Sequence, residues 1–309
     1  MSLKTATSGS GVEFRTETAP KIKGERGLTI TTHVILIAWS LIIGLPIIWV
    51  LMSSVKTDAE IFVDSWRPPL ALQFENYGRA WNEAQFGSYF FNSLIVVGLS
   101  TAIVMILGAM VSYVLARYQF VGRRALNLAF VGAMALPVFL AVIPLFGVMK
   151  QLGTSLQAAG LPFGVLGTYH GLIAVYVAYA MPFTVFFLTG FFASLPNELS
   201  EAAFIDGCGH FKTYFFVMLP LARPGIVSIT IFNAVGLWNQ YLLPLFLNND
   251  NPGLYVVTQG LAKLAGDSQY GSDFSGLFAG LVISMAPVLI LYVIFQKQIQ
   301  AGMTAGALK

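Results

Sequence analysis

The sequence predicts an all-α polytopic membrane protein with six transmembrane helices and both termini on one side. Three observations carry that expectation. Only 10% of the 309 residues are charged while 56% are hydrophobic, whereas soluble domains average roughly 25% charged. The mean hydropathy is +0.74. The charges are also bunched, leaving long charge-free runs, and a charge at the centre of a membrane helix costs about 2.5 to 3.5 kcal/mol on insertion scales. The same composition excludes a disordered chain and, with a single Cys, a disulfide-stapled secreted domain.

The spans follow in order from the gaps between charges. The first three gaps run from Gly27 to Val55, Ala84 to Ala116 and Ala125 to Met149, each longer than the roughly 20 apolar residues that cross a hydrocarbon core. The fourth, Gln151 to Asn197, has room for two helices. Its first part is crowded with Gly153, Gly160, Pro162, Gly164 and Gly167, so residues 151–168 read as an outer loop or re-entrant piece, and the fourth span is Tyr169 to Phe192. Pro224 to Leu247 and Phe274 to Gln296 complete the six. Residues 1–28 form a polar arm, 29–297 the membrane domain and 298–309 a tail. The arm and first span are not a signal peptide, because the span exceeds an h-region and SSVKTDAE follows without a small-residue cleavage site.

Twelve of the 17 Lys and Arg fall on the side that holds the termini. Basic residues are retained in the cytoplasm, so both termini are expected there. The net charge of +3 is thus an orientation signal rather than a nucleic-acid footprint.

The most informative cytoplasmic connection spans residues 194–223, beginning SLPNELSEAAFIDGCGHFK. Pro196 suits a first helical turn, Glu198 and Glu201 complement the positive end of the helix dipole, and Ala202 and Ala203 permit close approach. Gly207 ends the helix with a positive φ, and a second helical stretch runs from His210 to Met218, stopping before Pro220. So short a helix gains stability by docking on something, lipid or a partner.

These residues resemble a known family. Glu201-Ala202-Ala203, then Gly207 after three residues and Leu219-Pro220, is similar to the EAA loop of bacterial ABC importer permeases. With Pro196, Glu198, Leu199, Ile205, Asp206 and Pro224 it resembles the carbohydrate-uptake, maltose-type form. Ser53 to Thr57, Asn76-Tyr77, Tyr89 to Ser93 and Trp238 to Leu245 extend the likeness, and the tail from Phe295 to Lys309 looks like that of the second permease subunit of a pair. Cys208-Gly209 departs from the more usual Ala-Ser; Cys208 then reads as a packing residue. The resemblance implies a bacterial cell-membrane permease working with a second permease subunit, two cytosolic ATP-binding subunits and an extracytoplasmic sugar-binding protein. It also implies that Glu198, Glu201, Ala202, Ala203, Asp206, Gly207 and Pro220 belong to the loop that meets the ATPase. A fainter resemblance points to permeases for N-acetylglucosamine and its oligosaccharides.

The rest of the chain agrees with that share of the work. It has no G-x-x-x-x-G-K-[ST] loop to cradle ATP, and no HExxH or G-x-S-x-G, so neither an enzyme nor a cofactor is expected. The span cores lack Asp, Glu, Lys and Arg, which suits a neutral substrate and disfavours an ion-coupled carrier or channel, the alternative class. Span 5 carries the best polar cluster, Asn233, Trp238, Asn239 and Gln240, with Asn233, Gly236 and Gln240 on one face by helical spacing. That face lines a pathway or makes interhelical hydrogen bonds and an aromatic belt. Pro46, Pro137, Pro144, Pro182, Pro244 and Pro287 lie in or near spans, as kinks or as tolerated packing. The polar outer segment Asn248 to Ser272 reads as a docking loop for the binding protein or a plain connection.

Overall fold

Each charge-free run read as a span contains helix, and no strand occurs among the described residues. The computed structural model describes residues 25–161, 164–248, 250–271 and 273–307. It comprises two compact units, Met1–Trp49 and Val50–Lys309. Among the described residues the first unit consists of most of helix α1 (Glu25–Ser53), which contains Pro46. Residues 1–24 of the expected polar arm lie outside the described residues, and 25–28 are already helical.

The second unit begins with short elements outside the spans. Helix α2 (Asp58–Val63) starts at a capping box, in which the Thr57 side chain accepts the Glu60 N–H and the Glu60 side chain accepts the Thr57 N–H. Helix α3 (Glu75–Gly78) runs into a π turn (Arg79–Glu83). Lys56 is 1% exposed, a cost offset because its Nζ donates to the carbonyls of Ser65 at 2.8 Å and Asp64 at 3.3 Å.

Two long helices form the centre. Helix α4 (Phe86–Arg117) buries a stripe of small residues that includes Ser93, Ser100, Gly108, Ala109 and Ser112. It packs on α7 (Tyr169–Ser194), which buries Val175, Ala180, Thr184 and Leu188. A Cβ placed on Gly108 would lie 2.5 Å from Thr184 Cγ2, and Ser112 Oγ donates to the Val185 carbonyl at 3.2 Å. Small residues let membrane helices approach closely enough for dispersion to act.

Between them the chain departs from the expected third span. Helix α5 (Arg123–Met134) has 12 residues, about 18 Å at 1.5 Å per residue and too short to cross. Pro137 breaks the run, since proline drives the residue before it out of the α region. Helix α6 then continues over Val138–Ala158, with Pro144 inside, so residues 151–158, read as part of a loop, are helical. The break falls at Gly160, with φ +77°; residues 162 and 163 lie outside the described residues.

After α7 come α8 (Asn197–Ile205), α9 (His210–Lys212), a π turn (Thr213–Met218), α10 (Leu219–Leu221) and α11 (Arg223–Trp238). The run from His210 does not stop before Pro220 but passes through it to Leu221, because the π turn ahead of Pro220 absorbs the missing donor. The expected fifth span, Pro224 to Leu247, is likewise divided: α11 ends at Trp238 and α12 covers Leu242–Leu247. Helix α13 (Val257–Gly271) replaces much of the expected outer loop and packs on α4 and α14, with Gly260 close against the Tyr89 ring; Ser272 lies outside the described residues. Helix α14 (Phe274–Ala307) continues past the expected span end at 296. Among the described residues five helices are long and apolar enough to cross a membrane, or six if the pair His210–Leu221 and Arg223–Trp238, bent by 74°, is one span.

Two outcomes follow from this architecture. Gly108→Val forces α4 from α7 and lowers stability by about 1 to 3 kcal/mol, the usual range for overpacking, seen as a lower Tm of the detergent-solubilised protein. Backbone N–H donation, from Thr57 and then Leu70, holds the Glu60 carboxyl below its ordinary range. Its stabilising effect is therefore present above the ordinary glutamate value, about 4.3, and is lost as pH falls through the depressed one. Hydrogen-exchange protection of residues 57–70 should be constant from neutral pH to about 5 and decline below about 4.

Candidate functional site

The 194–223 loop is built on two prolines and a glycine. Leu195 is extended, with φ −72° and ψ 143°, as a residue before proline prefers, and this ends α7. Pro196 caps α8 from just outside its first turn. Gly207 has φ +80° and terminates α8 in a Schellman turn, in which Cys208 N–H donates to the Ala203 carbonyl at 2.9 Å and Gly207 N–H to that of Phe204 at 3.1 Å. The positive φ read from the sequence is therefore present.

The loop residues divide between two faces. Glu198, Glu201, Ala202, Asp206, Gly207 and Pro220 are exposed, and Ile205 is 87% exposed. Ala203 is buried and lets α8 close on the π turn, where Ser200 Oγ donates to Met218 Sδ at 3.3 Å. α8 thus offers water a face of acids and apolar side chains, with Glu198 in its first turn where the dipole favours it. Sequence reasoning missed the groups that hold the loop from behind. Arg117, in the last turn of α4, donates to the Leu195 carbonyl at 2.7 Å and to Asn197 Oδ1. Tyr118 shares a 2.8 Å hydrogen bond with His210. Only the position of Arg117-Tyr118 at the end of a span hinted at this.

The polar cluster of the fifth span does not act as one face. Asn233 is buried, and its Nδ2 donates to Thr184 Oγ1 at 2.7 Å, an interhelical bond to α7. Trp238 is also buried, its Nε1 donating to the Ser284 carbonyl at 3.1 Å and its ring edge-on to Phe90 at 5.6 Å. Because the helix ends at Trp238, the spacing that joined Gln240 to Asn233 and Gly236 does not hold. The Gln240 carbonyl accepts from Thr258 at 2.8 Å, tying this break to α13. Asn239 alone of the four is exposed, its Nδ2 turned back to the Val235 carbonyl at 2.8 Å. No group of three or more His, Cys, Asp or Glu that could hold a metal occurs among the described residues.

Residues 105–305, which contain this loop and α11, match the family described as binding-protein-dependent transport system inner membrane component. The chain belongs to this family. It is a membrane-embedded transport component, and its relatives are permeases rather than enzymes. A diacetylchitobiose uptake system permease protein of Streptomyces coelicolor is 45% identical over 285 residues, 92% of this chain and 90% of that protein. A trehalose transport system permease protein of Mycobacterium tuberculosis is 30% identical over 87% of this chain and 95% of that protein. The fold is similar to that in the crystal structure of a bacterial ABC transporter involved in the import of the acidic polysaccharide alginate. That likeness has a TM-score of 0.75 and 23% identity, covering 91% of this chain and 99% of that chain.

Gly207→Val places a β-branched side chain at a left-handed position, costing about 1 to 2 kcal/mol. Limited proteolysis should then cut between 204 and 212 faster than in the parent, while Gly207→Asn, which tolerates this conformation, stays near parental.

Proposed function

We propose that the chain is a permease subunit of a bacterial ABC importer and forms part of the membrane path for a neutral sugar, with short N-acetylglucosamine oligosaccharides as the substrate class. The observation that carries this reading is the 45% identity, over 92% of the chain, to a permease named for diacetylchitobiose. The physics supports it. The apolar spans carry no Asp or Glu for a proton or sodium relay.

In this reading the second permease subunit completes the path, a binding protein delivers the sugar on the outer side, and two cytosolic ATP-binding subunits drive the cycle. Both termini and the 194–223 loop then face the cytoplasm. Glu198, Glu201, Ala202, Asp206, Gly207 and Pro220 supply the exposed docking face of α8 and its surroundings, and Ala203 the packing that holds α8 in place. Of the pathway candidates, Asn239 is the exposed one that meets substrate, while Asn233, Trp238 and Gln240 fix the helices around it.

Uptake of labelled diacetylchitobiose by cells provides the test. Deleting the cytosolic ATPase should abolish uptake, and collapsing the proton gradient at constant ATP should leave it unchanged. Uptake that follows the gradient instead would identify an ion-coupled carrier.

A further inference from the structure

The end of α4 grips the 194–223 loop on both sides of α8. Arg117 reaches the start: its Nη2 donates to the carbonyl of Leu195, the residue that closes α7, and its Nη1 to the side chain of Asn197, the first residue of α8. Tyr118 reaches the far end, where its hydroxyl shares a 2.8 Å hydrogen bond with His210 Nδ1 and its ring stands edge-on to the imidazole at 5.4 Å. The same imidazole packs edge-on against Phe204 of α8 at 5.1 Å. Arg117, the last residue of α4, and Tyr118, the extended residue that follows it, therefore hold both ends of the helix–turn–helix. α8 cannot tilt or slide unless α4 follows or these contacts break.

A plain helix cap would explain the bond to Leu195, since a cation stabilises a helix C-terminus. It does not explain the bond to Asn197 or the second grip through Tyr118. Nor does it explain the guanidinium's own arrangement. Its Nε is buried without a hydrogen-bond partner among the described residues.

We propose that Arg117 and Tyr118 are positioning residues that transmit displacement of α8 to α4, and through the Gly108–Thr184 contact to α7. The proposal rests on the coupling role assigned to α8 above. They act by making the loop and α4 one mechanical body.

The test uses the complete transporter, with both permease subunits, the ATPase dimer and the binding protein, in proteoliposomes loaded with ATP and supplied with labelled diacetylchitobiose. The readout is sugar moved per ATP hydrolysed. Arg117→Ala should assemble and hydrolyse ATP while this ratio falls about tenfold, within the usual span of coupling between sites. Arg117→Lys, which keeps a cationic donor, should restore part of it, and Tyr118→Phe should show a smaller fall. Uptake and hydrolysis that decline together at a constant ratio would show a structural role only and overturn the proposal. If Arg117→Ala fails to assemble, Tyr118→Phe decides, since it deletes one hydroxyl: an unchanged ratio overturns the proposal. Absence of ATP-driven uptake in the parental complex removes the reading of function and this proposal with it, whereas uptake with an unchanged ratio in the variants removes only the proposal.

Discussion

Two helices in lipid gain little from the hydrophobic effect, so they stay together only where their backbones come close enough for dispersion and hydrogen bonds to add up. α4 and α7 meet that condition through Gly108, Ser112 and Thr184. Thr184 serves three neighbours at once. Its hydroxyl donates to the Ala180 carbonyl at 2.8 Å and accepts from Asn233 at 2.7 Å, while its methyl group fills the space above Gly108. Hydrogen bonds between membrane helices average about 0.6 kcal/mol. The amide from α11 therefore fixes register, and close packing supplies most of the cohesion. The ends of the pair then carry the other anchors. At one end the Asn92 amide holds the carbonyls of Gly253 and Tyr255 at 2.9 Å and accepts from Tyr169 at 2.5 Å; at the other, Arg117 holds the α7–α8 corner.

How much of this was legible depends on whether one residue type decides the outcome. The all-α membrane class followed from the spacing of charges, because the energetic cost of burying a charge outweighs every local preference. The turn at Gly207 was legible for a similar reason: a positive φ nearly requires glycine. The third and fifth spans differ from the expectation because a charge-free gap marks where a helix could cross, whereas Pro137 and the break after Trp238 decide where the helices end. In the gap at 151–168, Gly153 reads as a breaker, yet it lies inside α6, because one glycine costs a helix only about 1 kcal/mol and the apolar run around it outweighs that. The partners of Arg117, Asn233 and Lys56 were out of reach, since each depends on which elements meet in space.

The polar cluster near Trp238 shows why a polar residue in a span is not by itself a pathway residue. An amide in hydrocarbon must find a partner, and a neighbouring helix satisfies it as well as a substrate would. Asn233 and Trp238 have their partners within the subunit. Asn239 differs because it lies where the helix has ended and its side chain remains exposed. Non-helical backbone at membrane depth is tolerated only beside protein or a wet cavity, and here the break is held by protein, the Gln240 carbonyl accepting from Thr258 of α13.

The face of α8 can be treated in the same way. Nine residues are too few for a stable isolated helix, and its inner side is held by Ala203, Ser200 and the π turn. Lipid and protein are the two things that could cover the outer side, where Ile205 and Phe204 are exposed beside Glu198, Glu201 and Asp206. A helix that lies on a membrane carries basic residues on its polar face, because the cytoplasmic leaflet is anionic. Here the polar face is acidic, and α8 contains no Lys or Arg. In the proposed orientation an anionic leaflet repels it. On the proposed function, exposed apolar side chains framed by carboxylates are better covered by a protein with complementary basic groups than by lipid.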